Sequence, residues 1–324
     1  MENQTVMDVL RHYWHPVLRS EEITNKPAAA KLLDQPIVIW RSNGQLAAFY
    51  DLCIHRGTPL SLGWVRNDQL VCAYHGWEYG ADGNCTRIPS LPADRPIPSK
   101  ACATVFHVKE RYGLVWVCMD EPKCDIPEFP PEFHNPSFKW AGYSDEDTWQ
   151  ANAARVLENL ADFSHFPWVH EGILGDRTRA ECPPLNIEPM EGGFQYAIES
   201  PVNKLKAEGA TKQLYQVILP FMLIINKWQI GGDAQETKIY LCSPISQKQT
   251  KYYRFAGRNF PNRLSDDELN KRHHLIFSQD RRIVESQRPE ELPLDLSEEL
   301  HVRGADSPAL EYRKQLRNLG VGWN

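Results

Sequence analysis

The sequence predicts an α+β protein in two parts, an all-β domain that carries a metal centre followed by an α+β domain. Three observations carry this reading. Short runs rich in β-branched and aromatic residues, separated by turns, fill roughly the first 120 residues. Two pairs of soft metal ligands, Cys53 with His55 and Cys72 with His75, sit inside those runs. Helical periodicity appears only afterwards, in two segments that bracket a second strand-rich stretch.

At 324 residues the chain is long for one core and comfortable for two. A hydrophobic fraction of 42% with 24% charged residues is that of an ordinary folded protein. The net charge is −6 and no basic patch stands out, so neither nucleic acid nor an anionic membrane is an expected partner. The N-terminal "MENQTVMDVLRHYWHPVL" lacks a positive start followed by an apolar run, so no signal peptide is expected. The longest apolar stretch, Gln216–Ile225, is too short to span a bilayer and contains Pro220. These features predict a cytoplasmic protein. Its eight cysteines (53, 72, 85, 102, 118, 124, 182 and 242) then suit metal ligation by two and reduced burial of the rest better than disulfides.

The strands of the first domain are read from "PIVIWRSNGQLAAFYDLC", "LVCAYHGWEYGADGNC" and "HVKERYGLVWVCM". Ser42-Asn43-Gly44 and Ala81-Asp82-Gly83-Asn84 are hairpin-type turns. The proline-rich Asp120–Pro136 reads as a linker, which sets the domains at 1–130 and 131–324. In the second domain "WQANAARVLENLADFSHF" is a helix with Val156, Leu157, Leu160 and Ala161 on one stripe. "GGFQYAIES", "QVILPFMLIINKWQI", "ETKIYLCSPIS" and "KYYRFAGRNF" are strands. A long helix over Ser265–Gln287 follows, with Ser265 or Asp266 as its cap and Ile276, Phe277, Ile283, Val284 and Gln287 on its buried stripe.

The ligand order in Cys53–Tyr79, "CIHRGTPLSLGWVRNDQLVCAYHGWEY", narrows the metal. Structural zinc usually groups cysteines as Cys-x-x-Cys on one knuckle. Here each knuckle has one Cys and one His. That suits a [2Fe–2S] cluster of the Rieske kind, one iron on Cys53 and Cys72 and the other on His55 and His75. A zinc site is the competing reading. Gly57, Pro59 and Gly76 suit tight loops around a cluster.

A second site is expected within "RVLENLADFSHFPWVHEGILGDR". Asp162 and His165, at i and i+3, face the same way on a helix. His165 and His170 are five apart, so they share an ion only if the helix ends between them, and Pro167 supplies a break by disfavouring helical geometry at Phe166. Two histidines and one carboxylate with open positions is the ligand set of non-haem Fe(II) oxygenases. Asp280 is the candidate third ligand because it falls inside the apolar stripe of the later helix, where a lone carboxylate is costly. The competing readings are a buried ion pair of Asp280 with an arginine such as Arg155, and two structural histidines.

The runs Cys-x-His-Arg-Gly and Cys-x-x-His-Gly-Trp, the pattern Glu-Asn-x-x-Asp-x-x-His-x4-His and "FSQDRRIVESQ" together resemble the Rieske non-haem iron oxygenases, in the right order over nearly the whole chain. Respiratory Rieske proteins carry an extra cysteine on each ligand loop; "CIHRGT" and "CAYHGW" carry none. The resemblance implies a catalytic domain of helix-grip type, an antiparallel sheet flanked by helices. It implies that Cys53, His55, Cys72 and His75 hold the [2Fe–2S] cluster and that His165, His170 and Asp280 hold a mononuclear Fe(II). Asp162 would bridge electrons from His75 of a neighbouring subunit, in a homotrimer, and Asn159 would lie near the iron. Glu158 has no assigned role, and a solvated helix face is an equal reading.

The implied activity is hydroxylation or oxidative demethylation of a small organic substrate with O2. The chain has no Gly-x-Gly-x-x-Gly or flavin fingerprint, so NAD(P)H is expected to act only through a separate reductase, with or without a ferredoxin. Arg56, Arg66 and Arg111 are candidates for docking an acidic partner, with plain surface solvation as the alternative. The short length resembles the vanillate and dicamba demethylases and toluenesulfonate methyl-monooxygenase. "ELHVRGADSPALEYRKQLRNLGV", "RYGLVWVC" and "HEGILGDR" resemble the Rieske hydroxylases of saxitoxin-type alkaloids, so the substrate need not be aromatic. An arene cis-dihydroxylating dioxygenase and a plain electron-transfer protein are the alternatives. Phe163, Ile173, Leu174, Leu219, Phe221, Ile224 and Trp228 are expected to line the pocket, from their nearness to the ligand motif or their place in the apolar strands.

Overall fold

The structure is a computed structural model that describes residues 6–143, 148–183, 185–200, 210–261 and 265–321. The chain divides into two compact units, Met7–Ile126 and one made chiefly of Pro127–Asn324.

The first unit is built from hairpins. A short helix, α1 (Val6–Leu10), precedes β1 (His15–Arg19), β2 (Ala28–Leu32), β3 (Gln35–Ser42), β4 (Gln45–Tyr50), β5 (Trp64–Arg66), β6 (Gln69–Val71), β7 (Glu78–Tyr79), β8 (Cys85–Arg87), β9 (Val105–Arg111) and β10 (Leu114–Cys118). Six strands form one antiparallel sheet in the order β1-β10-β9-β4-β3-β2, and β5 to β8 form a smaller one. Four hairpins turn on two residues that both have positive φ: Leu33-Asp34, Asn43-Gly44, Asn67-Asp68 and Tyr112-Gly113. Such turns match the twist of the strands they join. Asn43-Gly44 is the turn the sequence announces; Leu33 and Tyr112 carry no turn signal and adopt this backbone because the hairpin requires it. Val38, Trp40, Phe49, Leu60, Leu70 and Tyr79 form a core that also takes in Cys53 and Cys72. The Asp120–Pro136 segment contains no strand and no α-helix, only a 3-10 turn at Pro131–His134.

In the second unit β11 (Lys139–Tyr143) and β12 (Thr148–Trp149) precede the helices α2 (Ala153–Ala161) and α3 (Phe166–Val169). Then come β13 (Glu188–Met190), β14 (Gly193–Ser200), β15 (Thr211–Ile218), β16 (Met222–Gln229), β17 (Gln235–Ser246), β18 (Gln249–Arg258), α4 (Asp266–Val284) and α5 (Ser307–Asn318). The sheet is antiparallel, β11-β18-β17-β16-β15-β14-β13, with β12 also on β18. The apolar run "QVILPFMLIINKWQI" is two strands. Pro220 cannot continue a ladder, so β15 ends at Ile218, the chain turns through Leu219–Phe221, and β16 begins at Met222.

Helices α2, α4 and α5 pack on this sheet. Asn152 caps α2 by accepting the Ala154 N–H at 3.0 Å, and Ser265 with Glu268 forms a reciprocal capping box on α4. The side chain of Asp266, the alternative cap, lies outside the described residues. Phe277 of α4 stacks on Tyr252 at 5.1 Å. Leu269, Ile276, Phe277, Asp280 and Val284 form the buried stripe of α4, and Ile283, expected there, is 38% exposed. Tyr312 of α5 donates to the Pro220 carbonyl at 2.9 Å. Arg313, also on α5, is buried and grips the Glu158 carboxylate with two contacts, at 2.6 and 2.7 Å. It also reaches Glu299 at 2.7 Å, and Arg155 meets the same Glu299 at 2.8 Å. Glu158 is therefore part of a buried charge network that clamps α2, and no solvated face. Among the described residues no helix is long and apolar enough to cross a membrane.

Candidate active site

The ligand loops of the first unit are built alike. In each, the cysteine carbonyl accepts the N–H of a glycine four residues on, Gly57 to Cys53 at 2.8 Å and Gly76 to Cys72 at 3.0 Å. Both glycines have positive φ, 71° and 67°, a region that a side chain disfavours. Each cysteine N–H donates back across its loop, Cys53 to Thr58 and Cys72 to Trp77, both at 2.8 Å. Asp51 braces the first loop by accepting from the N–H and hydroxyl of Ser61. The sulfurs of Cys53 and Cys72 are thereby sunk in the core while the imidazoles lie further out, His55 half-buried and His75 exposed.

The two rings lie 4.6 Å apart, and His55 stacks on Trp77 at 4.7 Å. The Tyr79 hydroxyl is 3.1 Å from the Cys53 sulfur. Burial, with Cys53 beside it, pushes the Tyr79 hydroxyl far up, so it stays a neutral donor toward a thiolate. Burial likewise pushes the Cys72 thiol up, a cost that a coordinated metal removes. His55 Nδ1 is buried with no hydrogen-bond partner, which fits a ligating atom. Two buried sulfurs and two outward imidazoles fit a two-iron cluster. Arg66, a candidate docking residue, pairs with Glu78 at 2.5 Å together with Arg87.

In the second unit His165, His170 and Asp280 offer donor atoms that all lie within 4.8 Å of one another. His170 Nε2 is 2.9 Å and His165 Nε2 3.3 Å from the same oxygen, Asp280 Oδ1. These three atoms are nonetheless buried without a hydrogen bond of acceptable angle: they aim at a common point more than at each other. The other ring nitrogens are engaged. Asp162 Oδ2 lies 3.1 Å from His165 Nδ1 and Gln279 Oε1 2.9 Å from His170 Nδ1. With each Nδ1–H donating, both Nε2 lone pairs are left for a metal. The residues therefore fit an Fe(II) ion. Burial opposes charge on His165, yet Asp162 and Asp280 outweigh it and push it up to about 9. Burial also opposes the Asp280 and Asp162 carboxylates, and their histidine neighbours hold both below the usual range. A divalent cation bound there would supply the positive charge that these carboxylates favour.

The local backbone differs from the sequence expectation. Helix α2 stops at Ala161, and Asp162 is its extended C-cap with ψ 135°. The break thus precedes His165, and Pro167 starts the short α3 instead of breaking a helix. Asp162 still meets His165, through a tight turn in which its Oδ1 accepts the Ser164 N–H at 2.8 Å. Asp280 makes no pair with Arg155, which is held by Glu299 and the Pro289 carbonyl. Gln279 carried no periodic or spacing signal; its adjacency to Asp280 is the one hint the sequence offers.

Gly175 closes the loop after His170. A Cβ there would overlap the backbone of Phe166 and Pro167, between the two histidines. Gly175→Ala is expected to displace α3 and lower turnover by about tenfold or more. Iron per chain and turnover, measured on the same preparation, check this.

The triad opens on a cavity of about 840 Å³. Asn159, Phe163, Ile173 and Leu174 line it, with Tyr215, Ile225, Tyr240, Ile276 and Phe277. Leu219, Phe221, Ile224 and Trp228 do not. Leu219 and Phe221 sit in the β15–β16 turn. Ile224 and Trp228 are one position out of phase with Ile225 and Lys227, and strand side chains alternate between faces.

Residues 13–107 match the Rieske [2Fe-2S] domain, and residues 149–321 match the vanillate O-demethylase oxygenase C-terminal domain. The chain is 32% identical to the methylxanthine N1-demethylase NdmA of Pseudomonas putida, over 96% of this chain and 90% of that protein. It is 27% identical to a putative toluene-4-sulfonate monooxygenase iron-sulfur subunit of Comamonas testosteroni, over 86% and 88%. The solved structure of NdmA with caffeine superposes with a TM-score of 0.86 at 31% identity, over 96% of this chain and 91% of that one. Two metal-ligand sets, the order of the two domains and these similarities lead to one conclusion: the chain belongs to the Rieske non-haem iron oxygenases, which join a [2Fe–2S] cluster to a mononuclear iron and use O2 with externally supplied electrons to hydroxylate or oxidatively demethylate small substrates.

Proposed function

We propose that this oxygenase removes a methyl group from a nitrogen or oxygen on a small planar ring compound. The observation that carries the reading is the cavity, whose aromatic and aliphatic walls run up to three converging metal-ligand atoms. Its relatives include methylxanthine N1- and N3-demethylases that match 96% of the chain. The methyl carbon is hydroxylated by one atom of O2, two electrons and two protons convert the other atom to water, and the hydroxymethyl product collapses to formaldehyde and the free N–H or O–H.

In this reading Cys53, His55, Cys72 and His75 hold the cluster, and His165, His170 and Asp280 hold the iron. Bound there, Fe(II) supplies a place for O2 activation and the cluster supplies electrons from a separate reductase or ferredoxin. The protein side chains do the rest. Phe163, Tyr215, Tyr240 and Phe277 exclude water and flank a flat ring. Asn159 Nδ2, buried with no partner, points a donor to the cavity for orientation. Asp162 and Gln279 hold the two imidazoles in their tautomers.

A homotrimer follows in the same reading, with Asp162 of one subunit hydrogen-bonded to His75 of the next. Its support is the exposure of His75 beside exposed Tyr74, with exposed Ile54, Leu62 and Trp64 earlier in the same stretch of chain. Gln279→Leu is expected to weaken Fe(II) binding to the mononuclear site by about 10–100-fold, with the cluster spectrum unchanged. Titration of Fe(II) into site-depleted protein checks it. The function is tested by O2 uptake and formaldehyde release with a panel of N- and O-methylated ring compounds and a surrogate reductase. Equal amounts of O2 consumed and formaldehyde formed are expected; hydroxylated or dihydroxylated products without formaldehyde would overturn demethylation.

A further inference from the structure

Helix α2 ends against the sheet. A helix leaves its final carbonyls without partners inside the helix. Glu158 and Asn159 meet this need by sharing the Asp162 N–H, at 3.0 and 3.2 Å. Ala161 finds its partner far along the chain: its carbonyl accepts the hydroxyl of Tyr196, on β14. Tyr196 is 1% exposed, and burial pushes its hydroxyl well above the ordinary range, so it stays a neutral donor. Its ring stacks on Tyr215, its cross-strand neighbour on β15, with centroids 5.0 Å apart and 13° between the planes. Phe194 lies 6.4 Å from the same ring. Packed in this way, the ring has little freedom to swing the hydroxyl elsewhere.

This contact falls immediately before Asp162. The peptide unit between Ala161 and Asp162 is planar, so its carbonyl and its N–H move together. Both ends are held, the carbonyl by Tyr196 and the N–H by Glu158 and Asn159. The Asp162 side chain is held as well: Oδ1 accepts the Ser164 N–H at 2.8 Å, and Oδ2 lies 3.1 Å from His165 Nδ1. Four of these five partners belong to the same stretch of chain, residues 158–165. They fix the shape of the stretch and leave it free to shift as a unit. Tyr196 is the partner from outside, and it ties the stretch to the sheet. Through Tyr215, which lines the cavity, that tie reaches the substrate wall.

We propose that Tyr196 is a positioning residue for electron delivery: its hydroxyl, by pinning the Ala161 carbonyl to the sheet, fixes where the Asp162 carboxylate stands between the incoming electron and His165. The inference rests on the reading in which Asp162 receives His75 of the next subunit, but the hold on His165 stands apart from it. A bridging carboxylate must keep two hydrogen bonds at once, and a small shift toward one partner weakens the other. Tyr196 is neither in the donor grouping of the mononuclear site nor on the cavity lining. Loss of its hydroxyl alone therefore acts through Ala161 and Asp162.

The test uses the full chain with both metal centres loaded and the mononuclear iron oxidised to Fe(III). A surrogate reductase with NAD(P)H reduces the cluster, and one electron then passes from the cluster to the Fe(III) and makes it Fe(II). Rapid-freeze EPR follows the loss of the high-spin Fe(III) signal, with no substrate and no turnover. Tyr196→Phe keeps the ring stack and removes the donor. It is expected to slow that loss by about tenfold or more, and to alter the EPR signal of the nitric oxide adduct of the Fe(II) site through His165. Tyr196→4-aminophenylalanine, which puts a donor back in the same place, should recover both. Thr250→Val is the control for stability alone: Thr250 donates its hydroxyl to the buried Ala151 carbonyl at 2.7 Å, ahead of the other end of α2. It should lower the melting temperature about as much as Tyr196→Phe and leave the transfer rate at that of the parent. A parent-like rate and nitric oxide signal in Tyr196→Phe would overturn the proposal. So would equal slowing by Thr250→Val, or a 4-aminophenylalanine chain that recovers stability without rate. An unchanged rate in Asp162→Ala would remove the bridge reading alone; an altered nitric oxide signal in Tyr196→Phe would then still uphold its hold on Asp162 and His165.

Discussion

Replacing Asp280 with alanine is expected to abolish O2-dependent product formation, by on the order of 10³-fold or more, and to leave the visible and EPR spectra of the [2Fe–2S] cluster intact. The iron content should fall from about three to about two per chain on the two-site count. The reason is geometric. Asp280 is 4% exposed and one of its oxygens lies within 3.3 Å of both histidine Nε2 atoms. No other carboxylate joins the two histidines in a donor grouping of this tightness among the described residues. Asp162 is no substitute, because it holds His165 from the opposite ring nitrogen. Turnover that survives the substitution would remove Asp280 from the proposed ligand set.

Arg313→Ala should unfold the catalytic unit more readily than any surface change, at a cost of about 3–5 kcal/mol. Arg313 is 2% exposed and satisfies Glu158, Glu299 and the Pro293 carbonyl at once. Alanine strands the partly buried Glu158 carboxylate and leaves Glu299 with Arg155 alone. Glu158 sits on α2, which also carries Arg155 and Asn159, so its unpaired charge bears on that helix. Denaturant unfolding followed separately by far-UV circular dichroism and by cluster absorbance checks this. The loss should appear in the first signal, because every residue named lies outside Met7–Ile126. Glu158→Gln, which keeps a hydrogen-bond acceptor for Arg313, should cost less. Equal stability of Arg313→Ala and the parent chain would show that the network contributes nothing.

The candidate ligands were legible in the sequence because metal chemistry limits both residue type and spacing. Cys53, His55, Cys72, His75, His165 and His170 announce themselves by pattern, and Asp280 by being acidic on an apolar stripe. What stayed hidden depended on register and on distant partners. Reading Gln216–Ile230 as one run left the strand phase open, and a slip of one position exchanged Ile225 and Lys227 for Ile224 and Trp228. The end of α2 at Asp162 was hidden because Phe163 to His165 carry no strong breaker, while Pro167, the visible one, begins a helix. Glu158 looked solvated because its partner is 155 residues away. The two turns at Leu33 and Tyr112 show the same limit on a smaller scale: the strands dictate their backbone, and the local residues do not.

That long separation has a consequence for the order of assembly. Met7–Ile126 is one continuous stretch, so its sheets can close while later residues are still being made. Helix α2 cannot finish in that way. Its Glu158 waits for Arg313, and the His165–His170 pair beside it waits for Asp280. During synthesis the chain can therefore complete the fold of Met7–Ile126 before the three candidate iron ligands meet. Closure of α4 over α2 is the step that brings Asp280 to His165 and His170.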